Sequence, residues 1–152
     1  MNEDVGIEVN DAQSKLNSTW VNQVVRPESV KEIQDCLQHA LQGGYSISVA
    51  GGRHAMGGQQ FGAGTIHFDM SGFNQINCID FEKGIADVQS GIEWPELIAA
   101  IEEQCQGAKS WAIRQKPTGV DKVTIAGCLS ANILGRGLSF PPFVDDVESF
   151  SL

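Results

Sequence analysis

Apolar positions change their period several times along the chain. Residues 1 to about 15 show no period and read as a loose N-terminal arm. TWVNQVVRPESV then carries a short β-prone run, Val21 to Val25, that ends at Arg26-Pro27. Pro27 suits the first turn of a helix. Val30, Ile33, Leu37 and Leu41 recur at helical spacing, with Ala40 on the same stripe, and Gly43-Gly44 ends the helix. YSISVA (45–50) reads as a buried strand bounded by glycine, so strand, helix and strand form a βαβ unit. A glycine-rich loop, 51–64, follows at once, and TIHFDM (65–70) is another strand. INCIDF (76–81), a turn at Glu82-Lys83-Gly84 and IADVQSG (85–91) predict a β-hairpin. WPELIAAIEEQ (94–104) is a helix opened by Pro95, with Leu97, Ile98 and Ile101 inward. WAIRQKP (111–117) is irregular or a short strand. TIAGCLSANILGRG (124–137) is small-residue-rich, with room for one helical turn, and VESFSL (147–152) reads as a strand that stops midway. The pattern predicts an α+β fold in two lobes: a βαβ lobe to about residue 70 and a mainly antiparallel lobe over 71–152.

Composition narrows the function classes. A length of 152 residues allows one domain with a real core. With 41% hydrophobic and 19% charged residues the chain is globular. A net charge of −9 without a Lys/Arg cluster argues against nucleic acid and anionic membrane surfaces as partners. An anionic ligand would have to be held locally, by backbone amides or a placed arginine. Cys36, Cys78, Cys105 and Cys128 form no CxxC pair and read as free buried thiols, with no zinc-ligand spacing and no metal site. The polar, acidic start is not a signal peptide, and no apolar run approaches the roughly 20 residues of a membrane span. A cytoplasmic location is the simplest expectation.

Eight of the 17 glycines fall between Gly43 and Gly64, so the excess is one local feature. Within it lies VAGGRHAMGGQQFGAG (49–64). A strand end followed by paired glycines lets backbone approach a ligand closely. Successive N–H groups in such a loop make a nest for phosphate. Arg53 adds positive charge, and Gln59 and Gln60 add neutral hydrogen-bonding groups. The spacing is neither GxGxxG before a helix nor GxxxxGK[ST], so the common dinucleotide and P-loop readings fail. The hairpin at 76–91 also disagrees with an alternating parallel nicotinamide-binding domain. On these residues alone, a loop that merely turns and a loop that holds pyrophosphate stand level.

The motif G-G-R-H-A-M-G-G-Q-Q-F resembles the flavin-holding loop of the vanillyl-alcohol oxidase (p-cresol methylhydroxylase) family. T-I-A-G-C-L-S-A-N-I-L-G-R-G resembles that family's second flavin segment. V-V-R-P-E-S-V-K-E-I-Q resembles its first strand and helix, and V-E-S-F-S-L its continuing strand. The resemblance runs over 16–152 in the family's order. It implies the two-lobed FAD-binding domain of that family, incomplete at its C-terminus, with the substrate domain absent.

The resemblance assigns roles residue by residue. Gly51, Gly52, Arg53, Ala55, Met56, Gly57, Gly58 and Gln59 would cradle the FAD pyrophosphate. His54 matches the histidine that many members bond covalently to the flavin 8-methyl group, a role open to a neutral imidazole. A simple polar contact is the plainer role for His54, and packing the plainer one for Ala55 and Met56. Thr124 and Gly127 match flavin-contacting positions, joined by Ser130 and Asn132; tight helix packing is the alternative for that stretch. Leu134-Gly135 departs from the family's usual His-Gly and loses a polar contact, which implies a drier pocket or reduced activity. His39 reads as exposed and His67 as structural. Asp121, Asp145 and Asp146 read as solvated charges, and Trp20, Trp94 and Trp111 as core.

The implied function is the FAD-binding module of an oxidoreductase that takes a hydride from a small alcohol, lactone or hydroxy acid. No catalytic residue of this chain is assigned, because the family's substrate residues lie in a following domain. Partners are therefore a small-molecule substrate and, through exposed apolar surface, other copies of the chain. The alternatives are a degenerate flavin-fold binding module, and a non-covalent relative of the NADPH-using reductase of UDP-linked enolpyruvyl sugars.

Overall fold

The structure is a computed structural model that describes residues 6–105, 111–117, 119–135, 137 and 139–152. Residues 1–5 of the expected arm, and Arg136 of the second flavin-like segment, lie outside the described residues. The fold is α+β, with both parallel and antiparallel pairing. It divides into two units, one ending at Phe73 and the other beginning at Asn74.

In the first unit, β1 (Ile7–Val9) pairs antiparallel with β2 (Thr19–Val21). From residue 7 onward the expected arm is therefore not loose. It makes a strand, and its Asp11 is buried beneath a local set of hydrogen bonds. The β-prone run at 21–25 is broken in two, with β3 (Gln23–Val25) starting a new sheet. α1 (Val30–Gly43) follows, capped by Ser29, whose side chain accepts from the Glu32 N–H. Pro27 lies two residues ahead of that cap, not in the first turn. Gly44 ends the helix in the left-handed region, φ 69°, where glycine carries no Cβ penalty. β4 (Ile47–Ala50) and β5 (Ile66–Asp69) complete a parallel sheet of order β3-β5-β4.

The two faces of β5 are covered differently. Ile66 and Phe68 pack with Ala40 of α1, helped by Val25, Ile33, Cys36 and Ile47. His67, on the alternate face, meets Phe61 and Ser48 instead. One face of the sheet thus carries the helix and the other carries part of the glycine-rich loop. The buried stripe of α1 is Ile33, Cys36 and Ala40, while Val30, Leu37 and Leu41 are exposed, Leu41 by 80%. Ala40, not the leucines, sits over the sheet because its small side chain lets the backbones approach. Val49 of the edge strand β4 and Tyr45 ahead of it are also exposed, so the run 45–50 is not wholly buried.

In the second unit, β6 (Ile76–Asp80) and β7 (Ile85–Val88) form the predicted hairpin, with a register irregularity between Ile76 and Cys78. Asp80 accepts from the N–H groups of Glu82 and Lys83 and so shapes the turn. α2 (Trp94–Gln104) opens on a reciprocal capping box between Glu93 and Glu96, with Pro95 in its first turn. Leu97 and Ile101 bury against Ile92 and the apolar face of the hairpin. Trp94, Cys128 and Phe143 form a second cluster. Its rings meet edge to face at 5.4 Å, and the Trp94 indole N–H points at the Cys128 sulfur.

α3 (Ile125–Ser130) is the helical turn expected in the small-residue stretch. Residues 147–150 form no strand; the chain there follows a short 3₁₀ turn, Phe143–Asp146. Trp94 alone of the tryptophans is core, since Trp20 is 53% and Trp111 38% exposed. Of the cysteines only Cys128 is buried, and Cys78 is exposed. Asp146 is not a solvated charge: Arg114 donates to it at 2.7 Å and Gln115 at 2.6 Å. Asp121 receives Lys116 yet stays 68% exposed, a solvated charge as expected. No helix among the described residues is long and apolar enough to cross a membrane.

Candidate cofactor site

β4 delivers the chain into the glycine-rich loop at its C-terminal end, the end of a parallel sheet where ligands bind. The loop is not a string of tight turns. The backbone N–H groups of Gly52 through Gly57 have no protein acceptor among the described residues. Three of the six carbonyls of the same stretch are used. Arg53 C=O accepts from the Ala12 N–H at 2.9 Å, and Met56 C=O accepts from the Asn17 side-chain amide at 2.7 Å. Ala55 C=O accepts from the Gln60 side-chain amide at 3.0 Å. Acceptors are tied inward and donors are left over, which is the polarity an anion requires.

Two backbone features set the shape. Arg53 has φ 56°, a left-handed conformation that a side-chain-bearing residue adopts at a cost. Gly58 has φ 70°, and a Cβ there would lie 2.8 Å from the Asn17 Cβ, so only glycine fits. Arg53, Met56 and Gln59 are exposed, while His54 and Ala55 are half-buried. The His54 ring contacts the Gln13 amide through Nδ1 at 3.1 Å. Gln60 Oε1 is buried without a partner among the described residues.

Beneath the loop a hydroxyl relay leads to His67. Thr65 Oγ1 donates to Gly62 C=O, Ser48 Oγ lies 2.7 Å from Thr65 Oγ1, and His67 Nδ1 lies 2.8 Å from Ser48 Oγ. Burial pushes the His67 pKa below its ordinary value; Asp69 partly opposes this and Arg53 adds to it. Burial also raises the Asp11 carboxyl. Hydrogen bonds from Asn17, Ser14 and Lys15 outweigh that and hold it well below the usual carboxylate range.

The second flavin-like segment behaves differently. Thr124 is buried, and its hydroxyl caps α3 by accepting from the Gly127 N–H at 3.2 Å. A Cβ at Gly127 would lie 2.8 Å from that hydroxyl, so the glycine makes room for the cap. Ile125 and Ala126 N–H donate to Ile92 and Ser90 carbonyls, leaving no free donor in that first turn. Thr124 and Gly127 thus have a local structural role. Ser130 and Asn132 are exposed, and Asn132 is left-handed at φ 45°. Leu134 is 64% exposed and belongs to no buried cluster among the described residues.

Sequence reasoning passed over Asp11, Gln13 and Asn17, which support the loop across 39 or more residues of chain. An Asp-x-x-Ser turn signature was their only trace. Two concavities of about 260 and 270 Å³ lie elsewhere, under α1 and beside α2, and neither includes a loop residue. Unpaired donors, rather than enclosure, mark the site.

Comparison with known proteins agrees with these features. Residues 21–152 match the model of the FAD binding domain family, nearly the stretch over which the motifs place the resemblance. An uncharacterized oxidoreductase of the fasciation locus of Rhodococcoides fascians is 31% identical over 77 residues, which are 51% of this chain and 17% of that protein. Among solved structures, alkyldihydroxyacetonephosphate synthase is similar at TM-score 0.66 and 24% identity, over 78% of this chain and 23% of its own. Cholesterol oxidase from B. sterolicum is similar at TM-score 0.61 and 20% identity, over 84% of this chain and 24% of its own. The chain therefore spans less than a quarter of the length of these proteins, and the two structures speak for the fold alone. With residues 21–152 matched, the chain belongs to the FAD binding domain family, and its cofactor is FAD.

Proposed function

We propose that this chain is the FAD-holding part of a flavin-dependent oxidoreductase, and that the loop Gly51–Gln59 takes the pyrophosphate of FAD. The observation that carries the reading is the run of unpaired N–H groups from Gly52 to Gly57 in a chain of net charge −9. Backbone donors bind a dianion there without needing a basic patch. The residues present fit the group in a second way: Gln60 Oε1 is a buried acceptor that lacks a donor among the described residues, and FAD is rich in hydroxyl and N–H donors. When bound, FAD supplies the acceptor for a hydride from a small alcohol, lactone or hydroxy acid. No residue of this chain is assigned to that substrate. The chain's own groups bind and orient: the loop amides hold phosphate oxygens and Arg53 adds charge. Ser130 and Asn132 are offered as further polar contacts, with Thr124 and Gly127 shaping the turn that presents them.

His54 is the candidate covalent link to the flavin. Its ring is half-buried and touched by Gln13 at Nδ1, which leaves Nε2 as the nitrogen without a protein partner. The chain purified with FAD and precipitated in acid tests this. Yellow colour is expected to stay with the protein pellet and to leave it in the His54→Ala variant. Colour that moves wholly to the supernatant keeps the flavoprotein and removes the covalent link. Absence of flavin from both fractions, even after refolding with FAD, sinks the reading and favours a degenerate module.

A further inference from the structure

We infer that residues 10–17, ahead of the matched family segment, are a clasp that aims the phosphate-binding N–H groups of the loop. The inference rests on the reading of the loop as the FAD site. Asp11 is the latch. It is 2% exposed, and its carboxylate accepts from the N–H groups of Gln13, Ser14 and Lys15, from the Ser14 hydroxyl and from the Asn17 amide. The turn so formed reaches the loop at three points: Ala12 N–H to Arg53 C=O, Gln13 to His54 Nδ1, and Asn17 to Met56 C=O. Asn17 also occupies the space that a side chain at Gly58 would need.

The consequence follows from peptide geometry. The described residues have no cis peptide bond, and in a planar trans unit the C=O and the N–H of the next residue point in opposite directions. Drawing the Arg53 carbonyl toward Ala12 turns the His54 N–H away from the clasp. Drawing the Met56 carbonyl toward Asn17 does the same for the Gly57 N–H. The Ala55 carbonyl, held by Gln60, directs the Met56 N–H. Asp11, Gln13 and Asn17 are therefore positioning residues that act through the loop, with no contact of their own to FAD required.

Asn17→Ala and Asp11→Asn separate aim from folding. The first removes the Met56 tether. The second keeps an acceptor for the backbone donors of the turn but sets an amide against the Asn17 amide. Dissociation constants for FAD would be measured by flavin fluorescence on the intact chain, beside thermal midpoints and amide proton–nitrogen spectra. Both variants are expected to weaken FAD by roughly tenfold, about what one lost hydrogen bond's worth of aim supplies. The thermal midpoint should move by only a few degrees, and the amide signals of His54, Met56 and Gly57 should shift. Ser18→Ala, which breaks a bond to Glu8 outside the loop, should leave both affinity and those signals in place. Unchanged FAD affinity in both variants, with the loop signals displaced, overturns the clasp; so do undisturbed loop signals. If the unaltered chain binds no FAD, the cofactor reading of this loop fails instead, and the amide signals still decide whether residues 10–17 aim it. Should one variant unfold, the other carries the comparison alone through the same amide signals and affinity.

Discussion

His67 carries its proton on Nδ1. The Thr65 hydroxyl hydrogen goes to Gly62, so the Ser48 hydroxyl must donate to Thr65, and Ser48 can then only accept from His67. That leaves His67 Nε2 bare and buried, without a donor among the described residues. Protonation would place a charge there with nothing to receive it, which is why burial depresses the pKa. The sign follows. Above the unfolded value of 6.5 neither state holds the proton. Below it the unfolded chain binds the proton first, so this stabilising contribution is lost as pH falls from 6.5 toward the lower folded value. Thermal midpoints followed from about pH 8 to about pH 5 should fall more steeply for the unaltered chain than for His67→Gln; equal slopes would assign the titration to another group. The sequence showed His67 as structural, because a lone histidine in a strand beside glycine has that as its plain role. It could not show Trp20 exposed or Asp146 paired, since those depend on neighbours far along the chain.

At the scale of elements, spacing located α1 and left its orientation open. Val30, Leu37 and Leu41 share a helical stripe with Ile33, yet the helix turns Ile33, Cys36 and Ala40 to the sheet. A stripe that wide is compatible with more than one rotation, and the close approach at Ala40 selects among them. Two substitutions check it. Ala40→Leu should destabilise by about 1–3 kcal/mol through overpacking. Leu41→Gln, at an 80% exposed site, should stay within about 0.5 kcal/mol. Chemical denaturation reads both, and the reverse order would restore the leucine stripe. The existence of the hairpin and of α2 was legible, because Glu82-Lys83-Gly84 and Pro95 are local signals, while the turn bonds of Asp80, the Glu93–Glu96 capping box and the register irregularity were not read. The cap of α3 was hidden. Thr124→Ala should cost about 1 kcal/mol, the usual value of an N-cap, by the same denaturation measurement.

Across the whole molecule the balance of charge is the widest constraint. A net charge of −9 repels an anionic cofactor at a distance, while the loop amides, as proposed, would attract it only at contact. Added salt should therefore tighten FAD binding, by roughly two- to fivefold between about 20 and about 300 mM, because it screens the repulsion and leaves the short-range bonds. Isothermal titration at a series of ionic strengths reads this directly. Weakening with salt would move the anchor from the backbone to the Arg53 guanidinium. The α+β class, the glycine loop and FAD were legible from residue pattern and motif resemblance. The support from residues 10–17 was not, because hydrogen bonds spanning some forty residues leave no periodic trace.

The strand order β3-β5-β4 carries a consequence for how the molecule comes into being. β3 and β4 are made first, with α1 between them, but they are not neighbours, and the place between them belongs to β5. On a ribosome the sheet has no ladder to form until Asp69 has emerged. Insertion of β5 then joins both edges in one event and closes the loop at 51–64 as it does so. The loop therefore gains its closing strand last in this unit, and on the proposed reading of the loop a nascent chain would offer the cofactor no phosphate site until its sheet is whole.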